Sequence, residues 1–65
     1  MEVKDLLFVT ESDVDVEIRE SDEYQNLLWE GTVGEINFSD DIPYGNYEIC
    51  RVAVDEERSI LQIFI

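Results

Sequence analysis

Asp13, Asp15 and Glu17 fall at alternate positions of the run Asp13-Val14-Asp15-Val16-Glu17-Ile18. In an extended strand, alternate side chains share a face and stand about 6.6–6.8 Å apart. Three carboxylates in that register draw a line of negative charge, which suits two kinds of chemistry. The line can occupy a groove of Lys and Arg that ordinarily holds nucleic-acid phosphates. Alternatively, it can hold Mg²⁺ or Mn²⁺ through oxygens and waters, and a bound hydrated metal can cut phosphodiesters. The plainer reading is the solvated outer face of an amphipathic strand. Glu11, Glu20, Asp22 and Glu23 extend the acid at both ends. The partner-binding candidates are therefore Asp13, Asp15, Glu17, Glu20, Asp22 and Glu23, with Asp13 and Asp15 as the catalytic positions if a metal is used.

The metal reading is the weaker of the two. Asp-x-Asp-x-Glu lacks the glycine and the later glutamate of a calcium loop, and side chains on a flat strand diverge. A metal site would need carboxylates from a second strand or subunit. With no histidine in the chain, Ser12, Ser21, Ser39 and Ser59 have no evident activating base. One cysteine and no histidine cannot fill a tetrahedral zinc shell. Gly31-Thr32-Val33-Gly34 has no following lysine and reads as a bend or bulge rather than a phosphate loop. Lys4, Arg19, Arg51 and Arg58 are scattered among acids, so direct nucleic-acid binding is not expected. Trp29 and the tyrosines read as core and rim. A cofactor is expected only if Mg²⁺ or Mn²⁺ serves a nicking reaction.

Seventeen acidic side chains against four basic ones give a formal net charge of −13 on 65 residues. Self-repulsion of that size opposes compaction, and a basic partner, solubility or repulsion of nucleic acid would justify it. Hydrophobic residues make up 45% of the chain, enough to fold a single domain over residues 1–65. A domain this small buries only about 60% of its unfolded surface and usually needs a staple. Cys50 has no partner cysteine and is expected to be a small core residue. Oligomerisation is the staple left. No secretory, lipidation or long apolar segment is evident, so a protein that is cytoplasmic in whatever cell makes it, away from membranes, is expected.

The elements that must position these residues follow from period. Val3, Leu6, Leu7 and Thr10 take the i, i+3, i+4, i+7 spacing of a helix in the first ten residues, its apolar stripe thickened by Phe8 and Val9. After Glu11-Ser12-Asp13 the period becomes two, and Val14, Val16 and Ile18 mark a first strand. Leu27–Val33 reads as a second strand, with Leu27, Trp29 and Val33 on one face. Residues 35–46 are a loop with room for a helical turn after Ser39. Tyr47–Val54 and Ser59–Ile65 read as a second hairpin. In it Cys50, Val52 and Val54 share a face, as do Leu61, Ile63 and Ile65. The expected fold is α+β: a short N-terminal helix packed on a four-stranded antiparallel sheet made of two hairpins.

One helix cannot cover both faces of that sheet. Ile49, Ile60 and Phe64 lie on the face opposite Cys50, Val52, Leu61 and Ile63, and the last strand is expected at a sheet edge, where it can pair with a twin. The expected homo-oligomer contact is therefore Ile60, Ile63, Phe64 and Ile65.

The opening Val-Lys-Asp-Leu-Leu, the acidic strand DVDVEIRES, the segment LLWEGTVGEI and the apolar closing hairpin resemble a group of small acidic proteins. These are encoded by prophages and mobile elements of gut bacteria. Glu30–Ile36 matches a motif frequent in the group, Glu-Gly-Thr/Tyr-Val-Gly-Glu/Asp-Ile. One branch it resembles is a very small anti-CRISPR family with a four-stranded, positive-cofactor-like sheet. The longer loop at residues 37–46 departs from that pattern. The resemblance implies oligomer formation through Phe64 and Ile65, and a link to DNA nicking with Asp13 or Asp15 in play. The leading expectation is a non-enzymatic protein that counters a host nucleic-acid-handling defence through its acidic surface. A metal-dependent DNA nickase and a structural subunit are the alternatives.

Overall fold

The computed structural model describes all 65 residues. Helix α1 spans Val3–Phe8, shorter than the ten residues expected. The Asp5 carboxylate accepts a hydrogen bond from the Glu2 N–H at 3.0 Å and caps its start. At its end the Thr10 hydroxyl donates to the Leu6 carbonyl at 2.7 Å. Two turns cannot hold themselves together in water. This helix persists because Val3 and Leu7, one turn apart, are fully buried. Phe8 and Val9 do not join that stripe and stay exposed.

Four strands follow: β1 Asp15–Arg19, β2 Leu27–Thr32, β3 Arg51–Asp55 and β4 Ile60–Phe64. The period of two in β1 is real, with Val16 and Ile18 buried on the helix side. β1 and β2 form one antiparallel hairpin, β3 and β4 the other. The sheet order is β2-β1-β4-β3, and the central pair β1 and β4 runs parallel. The all-antiparallel sheet expected from the sequence is thus corrected to a mixed one. The cause is the long connection from Val33 to Cys50, which returns the chain so that β3 starts at the opposite end of the sheet from where β2 stops. A parallel arrangement requires a crossover of about this length.

That connection also covers the core face. Ile36, Phe38, Ile42, Tyr44 and Ile49 pack against the buried cluster of Val3, Leu7, Val16, Ile18, Val33 and Ile63. Its one helical turn is a 3-10 turn at Val33–Glu35, directly after β2, rather than after Ser39. Gly34 sits where a side chain would crowd the Ser12 carbonyl, at 3.1 Å from an added Cβ. Its N–H donates to that same carbonyl at 2.9 Å.

Three further expectations are corrected. β4 lies inside the sheet with strands on both sides, so the edges belong to β2 and β3. Ile63 and Phe64 are buried within a single chain, while Ile60 and Ile65 are half-buried. The backbone edge proposed for a twin strand at residues 60 to 65 is already used. Cys50 is exposed rather than in the core, because it precedes β3 at the outer edge.

Candidate functional site

The strand register sorts the sheet face opposite α1 into rows. Arg19 of β1, Phe64 of β4 and Arg51 of β3 lie side by side, as do Glu17, Gln62 and Ala53, and then Asp15, Ile60 and Asp55. No helix covers this face, yet its centre is closed by side chains. The Arg51 guanidinium lies 3.6 Å from the Phe64 ring centroid and shields it, leaving Phe64 2% exposed.

Glu17 is 1% exposed, against the expectation of a solvated ladder. A buried carboxylate is costly unless it is paired and hydrogen-bonded, and Glu17 is both. Arg19 Nε donates to Oε1 at 3.1 Å, Gln62 Nε2 to Oε1 at 3.1 Å, and Arg58 Nη1 to Oε2 at 3.2 Å. These bonds, Arg19 first, hold the Glu17 carboxyl below the ordinary glutamate range against the opposing pull of burial. Arg58 also donates to Asp55 Oδ2 at 2.7 Å and lowers that carboxyl in turn. Glu17 is therefore an anchor for two arginines and is not free to meet a partner.

The expected acidic line is consequently broken at its centre. Asp13 lies in the turn before β1, and Asp15 opens the strand; both are exposed. Beyond the other end of β1, Glu20 is half-buried and Glu23 exposed. Asp22 has a structural duty there, since its Oδ1 accepts from the Tyr24 and Gln25 N–H groups at 3.1 Å. Five strand steps, from Asp15 to Glu20, separate the two groups by about 16–17 Å. That exceeds the Debye length of about 8 Å at physiological ionic strength, so each group acts on a partner independently.

The parallel pairing adds residues that the sequence pattern did not bring to this site. Asp15 stands in register with Ile60, and Ile60 with Asp55. Glu56 and Glu57 of the β3–β4 turn therefore lie at the same end of the sheet as Glu11, Asp13 and Asp15. The acid run Asp55-Glu56-Glu57 was the available signal, but it reads only as a turn until β4 is known to neighbour β1. The cations give little relief there. Lys4 pairs with Glu2, Arg19 with Glu17, and Arg58 with Glu17 and Asp55, while Arg51 covers Phe64.

Beside this acidic end runs an open groove of about 510 Å³ with Val14, Val54, Ile60 and Leu61 as its apolar lining and Glu56 at its side. No three carboxylate or cysteine side chains converge in a way that could hold a metal ion. Asp13 and Asp15 do not gather with Glu17, whose oxygens are taken by Arg19, Arg58 and Gln62. The residues expected to hold Mg²⁺ or Mn²⁺ thus do not form a site for it. No helix is long and apolar enough to cross a membrane. No protein-family model matches the chain, and no curated protein or solved structure matches it either.

Proposed function

We propose that this chain is a binding protein whose acidic surface engages a Lys/Arg-lined groove of a nucleic-acid-handling host protein and keeps nucleic acid out. The resemblance to mobile-element proteins makes a CRISPR-type nuclease the expected class of target. One observation supports the reading above the others: the cations of the chain are spent internally. The ion pairs engage only Glu2, Glu17, Glu48 and Asp55 among the carboxylates. Glu11, Asp13, Asp15, Glu23, Glu56 and Glu57 are left exposed without a paired cation. Folding concentrates the net charge of −13 outward instead of cancelling it locally. A potential of that sign speeds encounter with a basic groove and is screened by salt.

The test is displacement of duplex DNA from a purified RNA-guided nuclease, followed by fluorescence anisotropy of labelled DNA. The wild-type chain should release DNA at low salt and lose that effect as salt rises. The triple change Asp13→Lys, Asp15→Lys and Glu23→Lys should abolish release without unfolding the chain, since these residues are exposed and none caps a turn. Asp22 is left intact because it does. Failure of the wild-type chain to release DNA from any such nuclease at low salt would falsify the proposal.

A further inference from the structure

We propose that the groove beside β3 takes an extended segment of the basic partner, paired along the β3 edge and alternating apolar with Lys or Arg side chains. This rests on the acidic-surface reading and names what that surface receives. β3 is an outer strand of the sheet. Its Val52 and Val54 share the core face by register with Ile63 and Leu61. They are nevertheless 47% and 63% exposed, because they lie at the sheet margin. Val54 continues into the groove with Val14, Ile60 and Leu61. The chain already uses this margin once. Just ahead of β3, Ile49 donates its N–H to the Met1 carbonyl at 3.0 Å, and Glu2 bridges Glu48 in antiparallel fashion. From Arg51 onward no strand follows on that side.

Charge decides the occupant. Glu56 lines the groove, Glu57 adjoins it, and Glu11, Asp13 and Asp15 flank the lining residues Thr10 and Val14 in sequence. Arg58 is turned away onto Glu17 and Asp55, and Arg51 onto Phe64. A second copy of the chain would bring another −13 to this rim, and like charges in close apposition oppose docking. A strand with alternate apolar residues places them in the groove and its basic residues against the acids. Strand addition to a free edge supplies backbone hydrogen bonds for affinity and side-chain pockets for selectivity.

The probe is a capped peptide of alternating lysine and valine, matched in length to β3. Its control, alternating lysine and serine, carries equal charge. Amide NMR shifts and titration should show the valine peptide binding at least about tenfold tighter, with shifts in Arg51–Asp55, Thr10 and Val14. Val54→Glu should erase that preference. The added negative charge favours a basic peptide, so any weakening comes from the lost apolar contact. Equal binding of the two peptides would overturn the groove while leaving the acidic-surface reading standing. Binding of neither would overturn both. Shifts elsewhere on the chain, or a concentration-dependent dimer dissociated by Val54→Glu, would also overturn the proposal, the latter by giving the groove to a second copy.

Discussion

The carboxylate of Glu17 and the guanidinium of Arg58, 41 residues apart in sequence, meet at 3.2 Å over the middle of a sheet face that lacks a helical cover. This contact ties the β3–β4 turn to the central strand β1, and with Arg19 and Gln62 it takes the place of a second layer. It allows a 65-residue chain to bury Glu17 without leaving an unsatisfied polar atom.

Glu17→Gln keeps the shape of the side chain and removes its charge. The arginines beside it lose a charge-assisted acceptor, and we expect a loss of about 2 kcal/mol near pH 7. Because the folded pKa of Glu17 is depressed, its contribution is present above the ordinary glutamate value of 4.5 and fades as pH falls through the lower folded value. Urea unfolding should show a constant gap between wild type and variant from neutral pH to about pH 5, closing in stronger acid. A gap unchanged down to pH 2 would show that Glu17 does not act through its charge.

Phe64 and Ile63 belong to the monomer core. Phe64→Ala should cost about 3–5 kcal/mol, as truncation of a buried aromatic does. In a domain this small, that is most of the available stability. The variant should lose its cooperative urea transition at every protein concentration. A Phe64→Ala chain that stays folded as a monomer, beside a wild type that assembles in a concentration-dependent way, would instead place Phe64 at a subunit contact. Arg51→Ala uncovers the same ring and should lower stability by about 0.5–1 kcal/mol.

The fold was legible where one strand's own side chains decide it. Alternation in Val14–Ile18 marks β1 and its buried side, and the spacing of Val3 and Leu7 marks the helix face. Strand neighbours are another matter, since a period of two says which residues share a face and not which strand lies alongside. The local pattern therefore does not encode the β1–β4 parallel pair, nor the arrival of Glu56 and Glu57 at the same end of the sheet as Asp13 and Asp15. Glu17 illustrates the same limit. Alternation places it correctly opposite Val16 and Ile18, but its burial is caused by Arg58 and Gln62, which no local pattern connects to it. Cys50 and Val54 look like core residues by composition and are exposed because β3 is a margin strand.

Gly31 is fixed by space and by backbone. Its φ is +159°, and an added Cβ would lie 2.6 Å from Glu35 Oε2 and 3.1 Å from the Trp29 ring. Glu35 can swing aside, but the half-buried indole cannot do so without disturbing the core beneath it. Gly31→Ala should destabilise by about 1–3 kcal/mol and shift the fluorescence of Trp29, the only tryptophan. Gly34→Ala presses on the backbone carbonyl of Ser12 instead, so it should lower stability while leaving that emission near its wild-type wavelength. An unchanged urea midpoint for Gly31→Ala would contradict the crowding.

Salt sets two electrostatic terms against each other. Raising ionic strength screens the repulsion among exposed carboxylates, which favours the folded chain. It also weakens ion pairs, but those of Glu17 are shielded by burial, and exposed pairs such as Met1–Glu48 contribute little. Repulsion should therefore dominate. The thermal midpoint of the wild-type chain should climb as sodium chloride rises from low to physiological concentration, while the DNA displacement proposed for it should fall over the same interval. Asp15→Asn and Glu23→Gln should each reproduce a small part of that stabilisation at low salt and blunt the further response. A midpoint that drops with salt would mean the internal ion pairs outweigh the repulsion, and the outward concentration of charge would then not be the governing feature of this surface.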